Sequence, residues 1–230
     1  MNKRWLVLMM VLICGGLLVW FGLSKNHSAP KQEGSLNVME VLSEQSTEHT
    51  VEPGDSLIKI ARQCGTTVDL LKQLNRLQGE MIRVGEKLKI PPGKFDVVVT
   101  KVDNKLELRL DGKAIKTYAV STGKDHSTPT GDFTIVTRLV NPVWYKTGAV
   151  IPPGSADNIL GTRWLGISSK DYPKGYGIHG TVEPEKIGQA VTAGCVRMLN
   201  EDVEELYALL PEGTQVKIVD SLEEASKGKS

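Results

Sequence analysis

The most apolar part of the chain lies at its beginning. Residues Trp5–Ser24 carry no charge and are mostly apolar, and a helix needs about 20 such residues to cross the hydrocarbon core of a bilayer. Lys3 and Arg4 precede this run, and basic residues favour the cytoplasmic side of a membrane. The pattern therefore predicts a single-pass transmembrane anchor over residues 1–24, with everything after Lys25 on the extracytoplasmic side.

A cleaved signal peptide is the alternative interpretation of this run. Its apolar core would be shorter, at ~7–15 residues, and small residues would form a cleavage site after it. Here Ser28 and Ala29 are followed directly by Pro30, which makes a poor cleavage site. We therefore expect the anchor to remain uncleaved.

Polar residues dominate the next segment and the end of the chain. Residues 25–48 contain scattered Pro, Gly and Ser, a composition typical of linkers, with one short helical turn expected around Leu36–Leu42. Residues 221–230 are largely charged and polar. We predict a linker over the first segment and a flexible tail over the second.

Two helical patterns lie between two short strand patterns in residues 49–92. Asp55 or Ser56 can cap the first helix, and Thr66 or Thr67 can cap the second. The order is β-α-α-β, which predicts a small separate domain.

Alternating apolar and polar residues mark most of the segment 95–220. Turn signals at Asp103-Asn104 and Asp111-Gly112 separate adjacent strand patterns, as expected for β-hairpins. Helical patterns are confined to residues 184–191 and 200–210. This segment is therefore predicted to be a mainly β domain, a sandwich or barrel-like core with short helices and with its chemistry on loops.

Charge and cysteine content narrow the classes of partner and compartment. With 28 basic and 27 acidic residues, the formal net charge is +1, so the sequence lacks the basic character expected of a nucleic-acid-binding protein. Of the 3 cysteines, Cys14 lies in the apolar run, and a disulfide between Cys64 and Cys195 would join two predicted domains. We expect these two thiols to be unpaired.

One cysteine and one histidine stand in an unusual setting. Cys195 follows Thr192, Ala193 and Gly194, and His179 precedes it by 16 residues. A thiolate is the nucleophilic form of cysteine, and a neighbouring histidine can lower the thiol pKa, take the proton and return it to a leaving group. An isolated Cys and His pair is usually coincidental, so the hypothesis that this pair is catalytic rests on the surrounding residues.

Four neighbours support a catalytic interpretation of this pair. Gly194 allows a backbone bend that would turn amides near Cys195 towards a carbonyl oxygen, forming an oxyanion hole. Arg197 is placed either to bind a substrate carboxylate or to hold the loop. Thr192 and Gly180 complete the set. The sequence offers no further His or Cys nearby as metal ligands, so neither a metal nor another cofactor is expected.

Residues 49–92 resemble a LysM (lysin motif) domain. The stretches HTVEPGDSL, LNRL and IRVGEKLKIP carry the resemblance. LysM domains bind glycans built on N-acetylglucosamine, peptidoglycan in bacteria, in a shallow groove between two loops. The resemblance implies that six residues lie in or beside those loops: Gly54, Asp55, Ser56, Asn75, Ile82 and Arg83. Turn formation is the alternative role for Gly54 and Asp55.

The segment from Phe95 to Val219 resembles the L,D-transpeptidase catalytic domain. The stretches IHGT and TAGCVRM carry the resemblance, with STGK, STPTGDFTI and ILGTRWLGI upstream. It implies that Cys195 attacks the carbonyl of the third residue of a peptidoglycan stem tetrapeptide, and that a thioester forms as D-alanine leaves. His179 would act as base and then as acid, oriented by the Gly180 carbonyl. The amine of a neighbouring stem would then form a cross-link. Carbapenems acylate members of this family at the same cysteine.

Two positions depart from the commonest form of that motif. Thr192 stands where Ser is usual and keeps the hydroxyl, whereas Ala193 replaces a larger side chain and removes any contact that it would make. Three aromatic residues are candidates for a substrate groove, although core packing is favoured for them: Trp144, Tyr145 and Trp164.

The apolar run and the two resemblances together imply a monomeric, membrane-anchored L,D-transpeptidase of peptidoglycan biosynthesis and cell shape, with its catalytic domain in the cell wall or periplasm. Its partners would be stem peptides, glycan strands and the membrane, and no nucleic acid. Two alternatives stay open. One is an L,D-carboxypeptidase, in which water replaces the acceptor amine, and the other is a catalytically silent wall-binding protein.

Overall fold

A computed structural model describes residues 37–223 of the chain. The predicted membrane anchor, the first half of the predicted linker (residues 25–36) and the last seven residues, 224–230, lie outside this range. Within the described range, no helix combines the length and the apolar character needed to cross a bilayer.

A short helix, α1 (Val38–Gln45), occupies the end of the predicted linker. Asn37 caps it by accepting a hydrogen bond from the Met39 N–H at 3.2 Å. Val38 and Leu42 are four residues apart, lie on one face of the helix and are buried. The expected helical turn in this segment is therefore present. The prediction of a linker is wrong for residues 37–48, because this apolar pair packs into the fold within an otherwise polar segment.

The smaller domain has the predicted β-α-α-β order. Its elements are β1 (Thr47–Thr50), α2 (Leu57–Gln63), α3 (Val68–Leu74) and β2 (Lys87–Ile90), and the two strands pair in antiparallel fashion. Ser56 and Thr67 are the N-caps of the two helices, each accepting a hydrogen bond from a backbone N–H three residues ahead. The local signals in the sequence thus identified these helix starts correctly.

The larger domain is mainly β. Its elements are β3 (Phe95–Thr100), β4 (Lys105–Leu110), β5 (Lys113–Ala119), β6 (Thr122–Gly123), β7 (Gly131–Val140), β8 (Trp144–Lys146), β9 (Ala149–Ile151), β10 (Arg163–Ser168), β11 (Tyr176–His179), β12 (Ala190–Thr192), β13 (Val196–Arg197), α4 (Asn200–Leu209) and β14 (Gln215–Val219). Eight of these strands form one sheet in the order β13-β11-β10-β7-β14-β3-β4-β5. The predicted hairpins β3–β4 and β4–β5 are both present.

The sheet curls until its two edges approach each other. Ser121 follows the edge strand β5 and exchanges two backbone hydrogen bonds, of 2.7 and 2.9 Å, with Arg197 of the opposite edge strand β13. Helix α4 packs against β10 and β11 and adds Val203, Leu206 and Leu209 to the core. One curled sheet therefore replaces the predicted sandwich, and the barrel-like alternative is closer to the observed fold.

The helix predicted over residues 184–191 is wrong. Only Pro184–Lys186 form one turn of 3₁₀-helix, and Ala190–Thr192 form strand β12. Gly188 lies between them with a φ of 89°, a left-handed conformation that interrupts a right-handed helix.

The two domains share a packed boundary. Leu70 and Leu74 of α3, with Val38 and Leu42 of α1, belong to the same buried cluster as the core of the larger domain. The Thr67 hydroxyl, which caps α3, also donates a hydrogen bond to the Ala208 carbonyl of α4. The smaller domain is therefore packed directly against the larger one.

Candidate active site

Strands β11 and β13 bring the predicted histidine and cysteine together. They pair in parallel, with Ile178 opposite Val196 and His179 opposite Arg197, and Cys195 immediately precedes β13. Side chains alternate between the two faces of a sheet. Ile178 and Val196 point into the core, so His179, Arg197 and Cys195 share the other face.

A cleft of about 440 Å³ opens over that face, and both His179 and Cys195 line it. Its walls are largely apolar and include Leu139, Pro142, Trp144, Ile159, Leu160 and Trp164. Tyr145 also lines the cleft and is 76% exposed. Core packing, which the sequence favoured for the three aromatic residues, is therefore the wrong interpretation.

The imidazole of His179 is buried and held in one tautomer. Its Nδ1 lies 2.7 Å from the Gly180 carbonyl oxygen, which can only accept, so Nδ1 carries the proton. Burial lowers the pKa of His179 to about 4, and the positive charge of Arg197 also lowers it, against opposing hydrogen bonds to backbone carbonyls. At neutral pH the ring is therefore uncharged, and Nε2 is free of a proton and can act as a base.

The thiol of Cys195 is protonated at rest. Burial raises its pKa, although a backbone hydrogen bond at Gly177 and the charge of Arg197 lower it. Its Sγ contacts the Gly175 carbonyl oxygen at 3.7 Å. The prediction that the histidine lowers the thiol pKa is wrong for the resting site, because burial outweighs the charge nearby. The proton must instead leave the sulfur during attack. Cys64 and Cys195 are both free, as predicted.

Thr192 and Gly194 shape the loop that carries the cysteine. The Thr192 hydroxyl accepts a hydrogen bond from the Gly194 N–H at 3.2 Å and donates one to the Cys195 carbonyl at 2.6 Å. Gly194 has a φ of 130°, and a Cβ there would lie 2.8 Å from the Tyr176 ring and 3.0 Å from the Ser127 carbonyl oxygen. Because its N–H is engaged by Thr192, Gly194 serves the loop by its conformation rather than by its own amide.

Arg197 is buried beside the cleft and paired with a carboxylate. Its Nη1 lies 2.9 Å from an oxygen of Glu183, whose pKa is lowered first by a hydrogen bond from Lys186 and then by Arg197. Within residues 37–223, the Nε of Arg197 has no hydrogen-bond partner. The guanidinium is thus held by an acidic side chain, while its buried Nε–H has no partner among these residues.

Sequence reasoning missed Glu183 and named Trp164 only as a candidate for the substrate groove, not as a neighbour of His179. The Trp164 indole stacks on the His179 imidazole and lies against two strand glycines, where a Cβ would come within 2.8 Å of it at Gly166 and within 2.5 Å at Gly177. Glycine inside a strand often marks such a close approach, so the two glycines were the available signal. Nothing in the sequence pointed to Glu183.

The predicted glycan contacts of the smaller domain are mostly engaged in its own fold. Gly54 forms the turn with a φ of 86°, and Ser56 caps α2. Asp55 accepts hydrogen bonds from the Glu52 N–H and from His49 Nε2, which together with Lys59 lower its pKa to about 2.

The other three candidates differ in their availability. Asn75 uses its carboxamide for hydrogen bonds to Leu71 and to both backbone groups of Lys89, at 2.7 to 2.9 Å. Ile82 packs partly against the domain core. The Arg83 side chain is exposed. Gly54 and Ser56 are also exposed, but they serve the turn and the helix cap, so Arg83 is the candidate whose exposed side chain is left for a glycan.

Comparison with known proteins agrees with this geometry. Residues 94–218 match the family model YkuD, described as the L,D-transpeptidase catalytic domain, and residues 49–91 match the LysM domain. The chain is 35% identical over 178 residues to YkuD of Bacillus licheniformis, covering 74% of this chain and 97% of that relative. It is 43% identical over 131 residues to YqjB of Bacillus subtilis, covering 56% and 73%. Both relatives carry L,D-transpeptidase in their names.

A solved structure of an L,D-transpeptidase from Mycobacterium tuberculosis H37Rv aligns with a TM-score of 0.46 and 16% identity. The alignment covers 57% of this chain and 64% of that one. The matched family model spans more than half of the chain, and its residues include the entire cleft around His179 and Cys195. The chain therefore belongs to the L,D-transpeptidase family and is an enzyme of that family, with a LysM domain ahead of its catalytic domain.

Proposed function

We propose that this enzyme cross-links peptidoglycan by transferring the acyl group of a stem tetrapeptide through a thioester on Cys195, with release of D-alanine. The observation that carries the proposal is the neutral His179, fixed with its proton on Nδ1, on the same face and in the same cleft as Cys195. A base with a free nitrogen beside a protonated thiol is what acyl transfer by cysteine needs.

The first half of the reaction forms the acyl-enzyme. His179 Nε2 takes the thiol proton as Sγ attacks the carbonyl carbon of the third residue of the stem. The tetrahedral intermediate then collapses, the bond to D-alanine breaks, and His179 returns the proton to the departing amine. One thioester and one free D-alanine result, with no net change in protons.

The second half resolves the thioester. An acceptor amine attacks the thioester carbonyl, His179 takes a proton from that amine, and the proton returns to the departing sulfur of Cys195. The new amide is the cross-link. If water attacks instead, the product is a tripeptide and the enzyme is an L,D-carboxypeptidase.

Two neighbouring groups support substrate binding in this scheme. Arg197 lines the cleft, and the positive charge of its guanidinium is suited to a substrate carboxylate. The backbone N–H of Cys195 is adjacent to the bend at Gly194 and is our candidate donor to the oxyanion, since the N–H of Gly194 is engaged by Thr192.

The LysM domain and the apolar N-terminal run would both act by raising local concentration. A LysM domain and a transpeptidase domain in one chain imply binding to peptidoglycan, and Arg83 is the side chain best placed to contact the glycan. Anchoring through Trp5–Ser24 would keep a monomeric enzyme at the extracytoplasmic face of the cell membrane. One tether to the polymer and one to the adjacent membrane would both raise the effective concentration of the stems around the catalytic domain.

The test is an analysis of reaction products. The full-length protein in detergent is incubated with a purified disaccharide-tetrapeptide, beside a Cys195→Ala variant, and products are identified by mass spectrometry. Cross-linked dimers that have lost one D-alanine, absent with the variant, are the expected result. Tripeptide monomers alone would make the enzyme a carboxypeptidase. Unchanged substrate would favour a wall-binding protein without catalysis.

A further inference from the structure

Asn200 connects three elements that meet behind the catalytic histidine. It is the first residue of α4, and its Oδ1 accepts hydrogen bonds from the Thr162 N–H at 3.2 Å and from the Thr181 N–H at 3.1 Å. Its Nδ2 donates to the Thr181 carbonyl at 2.9 Å. One carboxamide thus joins the start of α4, the residue before β10 and the residues that follow β11.

The backbone around this carboxamide is shaped to receive it. A Cβ built on Gly161 would lie 2.2 Å from Asn200 Oδ1, and one built on Gly180 would lie 2.1 Å from the same atom. Real Cβ atoms do not approach an oxygen so closely. Both glycines are therefore required for the Asn200 side chain to reach the two N–H groups.

The contact with Thr181 acts on His179 through a single peptide unit. The Thr181 N–H and the Gly180 C=O belong to the same planar peptide, in which the two bonds point in opposite directions. The N–H is bound by Asn200, and the C=O accepts the hydrogen bond from His179 Nδ1 at 2.7 Å. Fixing one end of the peptide fixes the direction of the other, and hydrogen bonds in such a chain strengthen each other.

We propose that Asn200 is a positioning residue that holds the Gly180–Thr181 peptide so that its carbonyl keeps the proton of His179 on Nδ1. Asn200 touches neither sulfur nor substrate in this scheme. The effect of Asn200 on catalysis rests on the proposed function, since only a base at Nε2 needs this tautomer. The effect of Asn200 on the tautomer of His179 does not depend on any substrate.

The test measures the tautomer directly. Full-length protein in detergent is labelled with ¹⁵N-histidine, and ring nitrogen shifts at pH 7 separate the Nδ1–H form from the Nε2–H form. The His179 signal is identified by its loss in a His179→Gln variant. We expect only the Nδ1–H form in the unmodified protein. In Asn200→Ala we expect a mixture of both forms and a fall in kcat of at least about tenfold, since general acid–base catalysis contributes ~10²–10⁴-fold, with a much smaller change in KM.

Two further variants separate positioning from folding. Asn200→Asp keeps an oxygen for both N–H groups and should keep the Nδ1–H form. Asn75→Ala removes a comparable set of three carboxamide hydrogen bonds in the LysM domain and should leave the His179 signal unchanged. Urea unfolding shows which variants are folded.

The outcomes are distinct. An Asn200→Ala protein that is folded, purely Nδ1–H and unchanged in kcat would overturn the inference, as would unmodified protein without the Nδ1–H form. If Asn200→Ala does not fold, Asn200→Asp serves as the test instead. A mixture of the two tautomers in folded Asn200→Asp would also overturn the inference. Unmodified protein with the Nδ1–H form but no turnover of tetrapeptide would contradict the proposed function and leave this inference standing.

Discussion

The indole of Trp164 and the imidazole of His179 stack on each other, with ring centroids 5.8 Å apart and planes inclined by 20°. The two residues face each other on neighbouring strands β10 and β11. The indole covers one face of the ring and so excludes water from it. Because burial is the main cause of the low pKa of His179, the acid–base behaviour of the site depends on this contact.

Replacing Trp164 with Ala should therefore move the pKa of His179 from about 4 towards its ordinary value of 6.5. In the pH profile of kcat/KM, the acid limb should shift to higher pH. Trp144→Ala is the matched control, because Trp144 lines the same cleft without stacking on the histidine. It should weaken substrate binding and leave the acid limb in place. Equal shifts in both variants would contradict a specific role for the stack.

The same pKa predicts how stability depends on pH. Between pH 4 and 6.5 the unfolded chain binds a proton at His179 that the folded protein does not, so stability must fall as the pH falls through this range. From pH 7 to pH 4 the loss should be roughly 3 kcal/mol, because each pKa unit corresponds to about 1.4 kcal/mol. Urea unfolding of the unmodified protein and of His179→Gln, at each pH, isolates this contribution. Parallel stability curves for the two proteins would show that His179 titrates normally.

Gly194 should not tolerate a side chain. In Gly194→Ala the new Cβ would meet the Tyr176 ring at 2.8 Å, and the positive φ adds a backbone cost of about 1 kcal/mol. The matched control is Gly188→Ala, where φ is also positive, at 89°, but the space is open. We expect Gly194→Ala to lose catalysis and to change the rate at which iodoacetamide alkylates Cys195. The control should lose only a little stability. Similar alkylation rates in both variants would show that the loop accommodates the methyl group.

The charge of Arg197 lowers the pKa of the Cys195 thiol, so removing it should raise that pKa. Arg197→Met should shift the pH profile of alkylation at Cys195 to higher pH, whereas Arg197→Lys should keep the unmodified profile. If Arg197 also binds a substrate carboxylate, KM should rise in the Met variant by about tenfold or more, as expected for a lost charge-assisted hydrogen bond. An unshifted alkylation profile in Arg197→Met would exclude the electrostatic effect.

Local patterns predicted much of the fold. The caps at Ser56 and Thr67 and the hairpin turns near Asn104 and Asp111 depend on neighbours within a few residues, and the structure has them where the sequence indicated. A helical turn near α1 was predicted, but its packing into the fold was not, because the polar residues around Val38 and Leu42 concealed a contact with α3.

The catalytic pair was predictable from its motif, but its chemistry was not. The raised pKa of the Cys195 thiol follows from its desolvation in the folded site, which the sequence does not show. Asn200 acts on residues 38 and 19 positions away, and only the folded backbone brings them together. Sequence patterns of this kind identify reacting atoms more readily than the groups that orient them.

The most direct test of the account is the mass of the acyl-enzyme. Full-length protein in detergent is mixed with a stem tetrapeptide whose amines are all acetylated, so that the donor supplies no acceptor amine and only water can resolve the intermediate. The masses of the intact protein and of its peptides are then measured by mass spectrometry. We predict an increase equal to the mass of the donor less one D-alanine, located on Cys195, present in Cys64→Ser and absent in Cys195→Ala. Folded protein that turns the donor over or binds it without any mass added at Cys195 would contradict the account.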